Sequence, residues 1–219
     1  MVAVVFHLLH GNLVAASDLT QCAWTLLAHS KQLPLGIIEH QYGGFNILGG
    51  FTALKTNELL STQVAKALLT EYRKVVPRDD SKTQQSYPID PRSRVEGPVP
   101  DFMRAHKDLT LAVLNVNGVH WKWDISSLLL VSQKLQDGFH DHLQPNERSD
   151  PQHQVTRQNA GVSLGFFGTV FRSPNDETEL YRSEAGETTI FNEGALHQSP
   201  DGARARLYLL HWFSRVAED

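Results

Sequence analysis

A chain of 219 residues, 41% of them apolar, is long enough to build one domain around a real core, with residues to spare for flanking helices or loops. Its 24 acidic and 20 basic side chains give a formal net charge of −4, which argues against broad electrostatic binding to nucleic acid and leaves that role to a local basic patch; a small or neutral substrate fits at least as well. The single cysteine, Cys22, excludes an internal disulfide framework and any multi-cysteine zinc site, and suits a reducing, cytoplasmic compartment.

In chain order, the apolar run Met1 to Ser17 is interrupted by His7, His10 and Asn12 and carries no Lys or Arg, so no secretory signal is expected. No apolar stretch reaches the ~18 residues of a membrane helix, and no membrane partner is expected. Residues 17 to 31 place Leu19, Cys22, Ala23, Leu26 and Leu27 on one helical face, with Ser17 and Asp18 as N-cap candidates. Phe45 to Leu48, bracketed by Gly43, Gly44, Gly49 and Gly50, predicts a short strand. A second helix is predicted over Asn57 to Val76, with Leu60, Val64, Ala67, Leu68, Tyr72 and Val75 on its apolar side and Pro77 as its stop.

The segment Pro77 to Pro100 holds Pro77, Pro88, Pro91, Pro98 and Pro100 among charged residues, which predicts a lid or loop without regular structure. Beyond it come short β-rich runs separated by turns: Thr110 to Val116, Ser127 to Leu135, Gly161 to Phe171, Glu179 to Tyr181, Thr188 to Phe191 and Ala205 to Phe213. That succession is the signature of a β sandwich or barrel. The expected organisation is one domain over residues 1–219, with 1–76 as helical and strand support, 77–100 as the proline-rich lid and 101–219 as the β core.

Eleven histidines direct attention to metal chemistry, and position selects among them. In GFHDHLQPNE, residues 138–147, alternation at a strand end turns His140 and His142 to one side and Asp141 to the other. Two imidazoles on one face can chelate a cation, although a histidine pair near a loop is as often mere solvated surface. In GETTIFNEGALHQSPD, residues 186–201, a turn glycine leads into a strand, a second turn follows at Asn192 to Gly194, and His197 arrives on the next strand. A β-roll can bring such a hairpin across from the first pair, so that three ligands from distant segments meet. His7 with His10, and His120 with Asp124, have looser ligand spacing and are read as solvated, capping or packing residues. Trp121 and Trp123 share a face and are read as packing or as a wall of a substrate pocket.

Roughly the last 90 residues carry a family resemblance. His140-x-His142-xxxx-Glu147 resembles the first cupin motif, and Gly186-xxxxx-Asn192-x-Gly194-xx-His197-xxx-Asp201 is similar to the second, with Asn192 and Asp201 replacing the usual proline and asparagine, and with Lys134 and Gln154 where the first motif has flanking glycines. The same stretch resembles the 2-oxoglutarate- and Fe(II)-dependent oxygenases, above all their prolyl-hydroxylase-like and DNA-repair-demethylase-like branches. His197 follows His140 by 57 positions and Arg206 follows His197 by nine, as in that family, and Trp212 stands where the prolyl hydroxylases have an active-site tryptophan. The departure is His142, which occupies the position of the family's Asp; either Asp141 is recruited by a bulge or the site has three histidines.

The resemblance implies a mainly β double-stranded β-helix, or cupin-like jelly-roll, with N-terminal helices packed on the sheet. It implies Fe(II) and 2-oxoglutarate as cofactors, His140, His142 and His197 as metal ligands, Arg206 and Tyr208 as the grip on the cosubstrate's distal carboxylate, and a small-molecule or side-chain substrate. Two alternatives stay open: a three-histidine cupin dioxygenase or isomerase without 2-oxoglutarate, and a cupin-like module that binds a ligand without turnover. The last strand leaves its own question. Arg206, Tyr208 and Trp212 look toward His197 only if the even-numbered face is interior, whereas Ala205, Leu207, Leu209 and Phe213 argue for the odd face.

Overall fold

The computed structural model describes residues 37–42, 51–54, 62–114, 120–131, 138–143, 157–164, 169–173, 178–184, 186–198 and 206–216, with backbone alone at 37–42, 51–54, 62–64, 113, 157–164 and 206. The elements in order are β1 (Ile37–Tyr42), β2 (Phe51–Leu54), α1 (Thr62–Val75), β3 (Gln84–Ile89), α2 (Pro98–Leu114), β4 (Trp121–Val131), β5 (Arg157–Leu164), β6 (Val170–Arg172), β7 (Glu179–Arg182), β8 (Thr188–Asn192), β9 (Leu196–Gln198) and β10 (Arg206–Arg215). Strand dominates, and the strands form two sheets. The larger has seven strands in the order β1-β2-β8-β5-β10-β4-β3, and the smaller has three, β7-β6-β9. Every strand pair in both is antiparallel.

The long central strand β10 shows how the layers are built, because both of its faces are covered. Leu207 and Leu209 join a core with Leu68 and Tyr72 of α1, Phe102, Met103 and Leu109 of α2, and Leu128 of β4. Phe213 packs with Leu114, Trp121 and Ile190. The even-numbered Tyr208, Leu210 and Trp212 instead meet Phe171 of β6 and Phe191 of β8, where the small sheet closes over the large one. The helices therefore cover one face of the seven-stranded sheet and the small sheet covers the other. A fully buried Leu or Phe in either layer contributes on the order of 1.5–3 kcal/mol.

The helix predicted over 57–76 is present as α1, ended by Pro77 and with Arg73 and Lys74 in its last turn, where cations oppose the helix dipole. Val75, expected on its apolar side, is exposed. Two other expectations fail. The proline-rich segment contains the edge strand β3, whose Pro88 sits opposite Ser127 and whose Ile89 is buried; proline lacks a donor, so an edge is where a strand tolerates it. The β-rich run Thr110 to Val116 is in fact the end of helix α2 as far as Leu114. Gly97, with φ of +128°, and Pro98 start that helix, and Phe102, Met103, His106, Leu109 and Thr110 are buried along one face of it. The run Gly161 to Phe171 divides between β5 and β6, in different sheets. The predicted helix over 17–31 and strand over 45–48, together with His7, His10 and Cys22, lie outside the described residues. No described helix is long and apolar enough to cross a membrane.

Between α2 and the sheet runs a buried polar chain. Trp123 Nε1 donates to Ser126 Oγ at 2.8 Å; Ser126 Oγ meets His211 Nδ1 at 2.5 Å, His211 Nε2 meets His106 Nδ1 at 2.8 Å, and His106 Nε2 meets Thr188 Oγ1 at 2.9 Å. The chain ties β4, β10, α2 and β8 together. Burial pushes His106 down to about 4 and, with the nearby His106 and Lys107, holds His211 well below the usual imidazole range. Both rings are therefore neutral at pH 7.

This has a consequence for stability. Below pH ~6.5 the unfolded chain takes up protons that the folded imidazoles refuse, so stability is complete above that pH and falls as pH drops toward the folded value. For His106 the loss down to pH 4 is about 3 kcal/mol. Urea melts between pH 4 and 8 should show the His106→Gln protein less stable at pH 8 but with a clearly shallower acid slope than wild type. Equal slopes would mean that His106 does not carry this linkage.

Candidate metal centre

His140 and His197 come together through the backbone. His140 N donates to the His197 carbonyl at 3.1 Å and His197 N to the His140 carbonyl at 3.0 Å, an antiparallel bridge that sets the two side chains beside each other. His142, two residues on, keeps the parity of His140, and its N–H donates to the Glu193 carbonyl at 2.8 Å. The turn at Asn192 to Gly194, closed by Ala195 N on the Asn192 carbonyl at 3.0 Å, delivers His197 into β9. The three rings stand 4.5 to 5.8 Å apart by centroid. One nitrogen from each lies within 4.8 Å of the others.

The site grades from surface to interior: His140 is exposed, His142 half-buried and His197 buried. Phe191 and Phe171 lie against the His197 ring, with centroids 4.7 and 5.9 Å away. Phe171 is its register partner on β6. Burial first, and then the neighbouring His142 and His140, hold His197 well below the usual imidazole range, against the opposing pull of the Ala195 carbonyl. His197 is accordingly neutral at pH 7.

The protein also selects the tautomers. His140 Nδ1 lies 3.0 Å from the Gly138 carbonyl and His197 Nδ1 lies 2.8 Å from the Ala195 carbonyl. A carbonyl only accepts, so each Nδ1 carries a proton, and Nε2 is the nitrogen left to coordinate when the ring is neutral. This donor set fits a divalent transition metal. Nitrogens at ~2.1 Å from one tetrahedrally held cation stand ~3.4 Å apart, so loading would need the widest pair to close by roughly an ångström or more.

Asp141 has the opposite parity and its Oδ1 accepts from Leu143 N at 3.2 Å, a local turn contact. It is not one of the three converging groups. We therefore expect His142→Ala to weaken metal binding at least tenfold more than Asp141→Ala in a metal titration. The reverse order would mean that a rearranged strand recruits the carboxylate.

Tyr208 is half-buried in the cluster of Phe171, Phe191, Ala195 and Leu210, with Trp212 and Tyr181 beside it. The even face of β10 is thus the one toward the small sheet, and Arg206 opens that strand with the same parity, opposite Val131. Its side chain lies outside what is described, as does Glu147. His120 is exposed, and Asp124 accepts from Ser214 Oγ at 2.9 Å; neither joins the centre. Trp121 and Trp123 pack toward the helices rather than toward the histidines. Sequence reasoning missed the aromatic wall of Phe171 and Phe191, which no spacing rule ties to the histidines. It also missed the Tyr181 hydroxyl, which donates to the buried Glu187 at 2.5 Å while Glu184 N donates to the other carboxylate oxygen at 2.8 Å.

No protein-family model and no curated protein matches this chain. Solved structures do. A prolyl-4-hydroxylase from Pseudomonas putida is 18% identical, the match covers 88% of this chain and 100% of that one, and the TM-score is 0.50. HygX from Streptomyces hygroscopicus, solved with nickel and 2-oxoglutarate bound, is 15% identical over 78% of this chain and 84% of its own, with a TM-score of 0.52. At such identities the likeness is one of architecture, and in architecture the chain resembles the 2-oxoglutarate- and Fe(II)-dependent oxygenases.

Proposed function

We propose that this protein is an Fe(II)- and 2-oxoglutarate-dependent oxygenase on a double-stranded β-helix, which hydroxylates or oxidatively demethylates a small molecule or a macromolecular side chain. The observation that carries the reading is the convergence of His140, His142 and His197. Segments 57 positions apart meet on the side of the large sheet that the small sheet covers, with Nδ1 of His140 and of His197 turned to backbone carbonyls. The fold likeness to a prolyl hydroxylase and to a 2-oxoglutarate-binding protein supports it.

When bound, the metal and its cosubstrate supply the oxidising chemistry. The chain's own part is positional. His140, His142 and His197 hold the cation; Arg206 and Tyr208 take the distal carboxylate of 2-oxoglutarate from the even face of β10; Phe171, Phe191 and Trp212 exclude water around them. The acidic balance of the chain favours a small or neutral substrate over nucleic acid.

The test is anaerobic. Fe(II) protein titrated with 2-oxoglutarate should develop the weak visible charge-transfer band of a metal-bound 2-oxo acid, and the band should saturate at about one equivalent. Metal binding without any such band would favour the second reading, a three-histidine cupin dioxygenase. The presence of His142 where the oxygenases have a carboxylate speaks for that alternative.

A further inference from the structure

We propose that the buried chain of Ser126, His211, His106 and Thr188 is an acid-sensitive latch, which holds α2 on the seven-stranded sheet while its two imidazoles share one proton across their contact and releases the helix when both rings are charged. The latch does not rest on the metal reading, since neither ring belongs to that centre.

The geometry fixes how many protons the chain can hold. An indole N–H only donates, so Ser126 Oγ accepts from Trp123 at 2.8 Å. The Ser126 proton is then directed to His211 Nδ1, which leaves the His211 proton on Nε2, 2.8 Å from His106 Nδ1, and the His106 proton on Nε2, 2.9 Å from Thr188 Oγ1. Every bond runs the same way, with one proton between the rings. A first added proton fits, because Ser126 can turn its hydroxyl and accept from a doubly protonated His211. A second does not. With both rings charged, His106 Nδ1–H and His211 Nε2–H point at each other across a contact built for one proton, and two like charges meet in full burial.

The surroundings offer those charges nothing. Among the described residues no carboxylate bonds either ring. From α2, Lys107 lies over the Trp123 ring at 4.9 Å, is paired with Asp108, and adds positive charge beside His211. The sheet supplies Trp123 and Ser126 from β4, Thr188 from β8, and Ala160 of β5 opposite His211. From α1, Tyr72 reaches the same core, and its phenol stays neutral in acid. Burial places the titration of both imidazoles on the acid side of their usual range. Hydrating the charges means lifting Phe102, Met103 and Leu109 of α2 off the sheet, a local opening rather than unfolding of the whole chain.

The test uses wild-type protein labelled with 15N-histidine. At pH 7 a coupling through the hydrogen bond should link one ring nitrogen of His106 to one of His211. As the pH is lowered to ~4.5, that coupling should vanish over the interval in which residues 98–114 lose about tenfold or more of their hydrogen-exchange protection, corrected for intrinsic rates. Protection should fall as the square of the proton activity, while β6 and β9 keep theirs. His211→Gln, which leaves one titrating ring, should reduce the dependence to the first power. A coupling that persists through the titration with α2 still protected would overturn the latch, as would a first-power dependence in wild type. Simultaneous loss of protection in α2 and the small sheet would overturn it too, since the whole fold would then be opening. If His211→Gln does not fold, the wild-type readings decide alone.

Discussion

Replacing His197 by alanine is expected to abolish stoichiometric metal binding at micromolar Fe(II), with a loss of affinity greater than roughly a hundredfold. His197 is the buried member of the trio, so its loss removes the imidazole that burial holds in the neutral state and whose Nδ1 proton the Ala195 carbonyl accepts. It leaves His140 and His142, an exposed and a half-buried pair, to bind alone. The fold should persist, because His197 is tied to His140 and to Phe171 through backbone pairing that alanine preserves. Metal analysis after dialysis, together with a thermal melt of the metal-free protein, separates the two effects. Wild type should retain about one equivalent and His197→Ala close to none, while their metal-free melts should differ far less. Full occupancy in the variant would remove His197 from the site.

Arg206→Ala should weaken anaerobic binding of 2-oxoglutarate to the Fe(II) protein by about 2–5 kcal/mol, or about 30- to 4,000-fold. The expectation follows from parity. Tyr208, Leu210 and Trp212 lie on the face of β10 that the small sheet covers, and position 206 continues that row toward the strand's start. An arginine in such a row needs an anion, and a dicarboxylate offers a bidentate one. Lysine should restore part of the affinity, since a point charge cannot reproduce the planar fork. Arg204, which lies outside the described residues, is the internal control, and its alanine variant should bind nearly normally. Titration of the charge-transfer band, or calorimetry with Fe(II) protein, reads each variant. If Arg206→Ala and wild type bind 2-oxoglutarate equally, the carboxylate is held elsewhere.

Much of the centre was legible in the sequence because its geometry is local. His140 and His142 share a face by strand alternation, and the turn at Asn192 to Gly194 delivers His197 to a strand; both follow from backbone periodicity within a few residues. The β-rich character of the second half was legible for the same reason, as was the helix that Pro77 ends. Local pattern also placed Trp121 and Trp123 on one face, although it could not say against what they would pack.

Tertiary structure decided the questions on which local signals conflict or fall silent. Thr110 to Val116 reads as strand by its apolar and β-branched residues, yet its residues as far as Leu114 are helical. The earlier turns of α2 bury Phe102, Met103, His106 and Leu109 against the sheet, and that burial outweighs a modest intrinsic preference. Gln84 to Ile89 forms a strand despite Pro88, because the edge of the sheet demands nothing of the missing donor. The interior face of β10 could not be chosen from its sequence, since leucines and aromatic rings occupy both faces. It was settled by what covers each one, helices on the odd side and the small sheet on the even side. Likewise His106 and His211, 105 positions apart, form a buried hydrogen-bonded pair that no spacing rule could foresee. They meet because α2 packs across β10, and a contact made by packing has no signature in either segment alone.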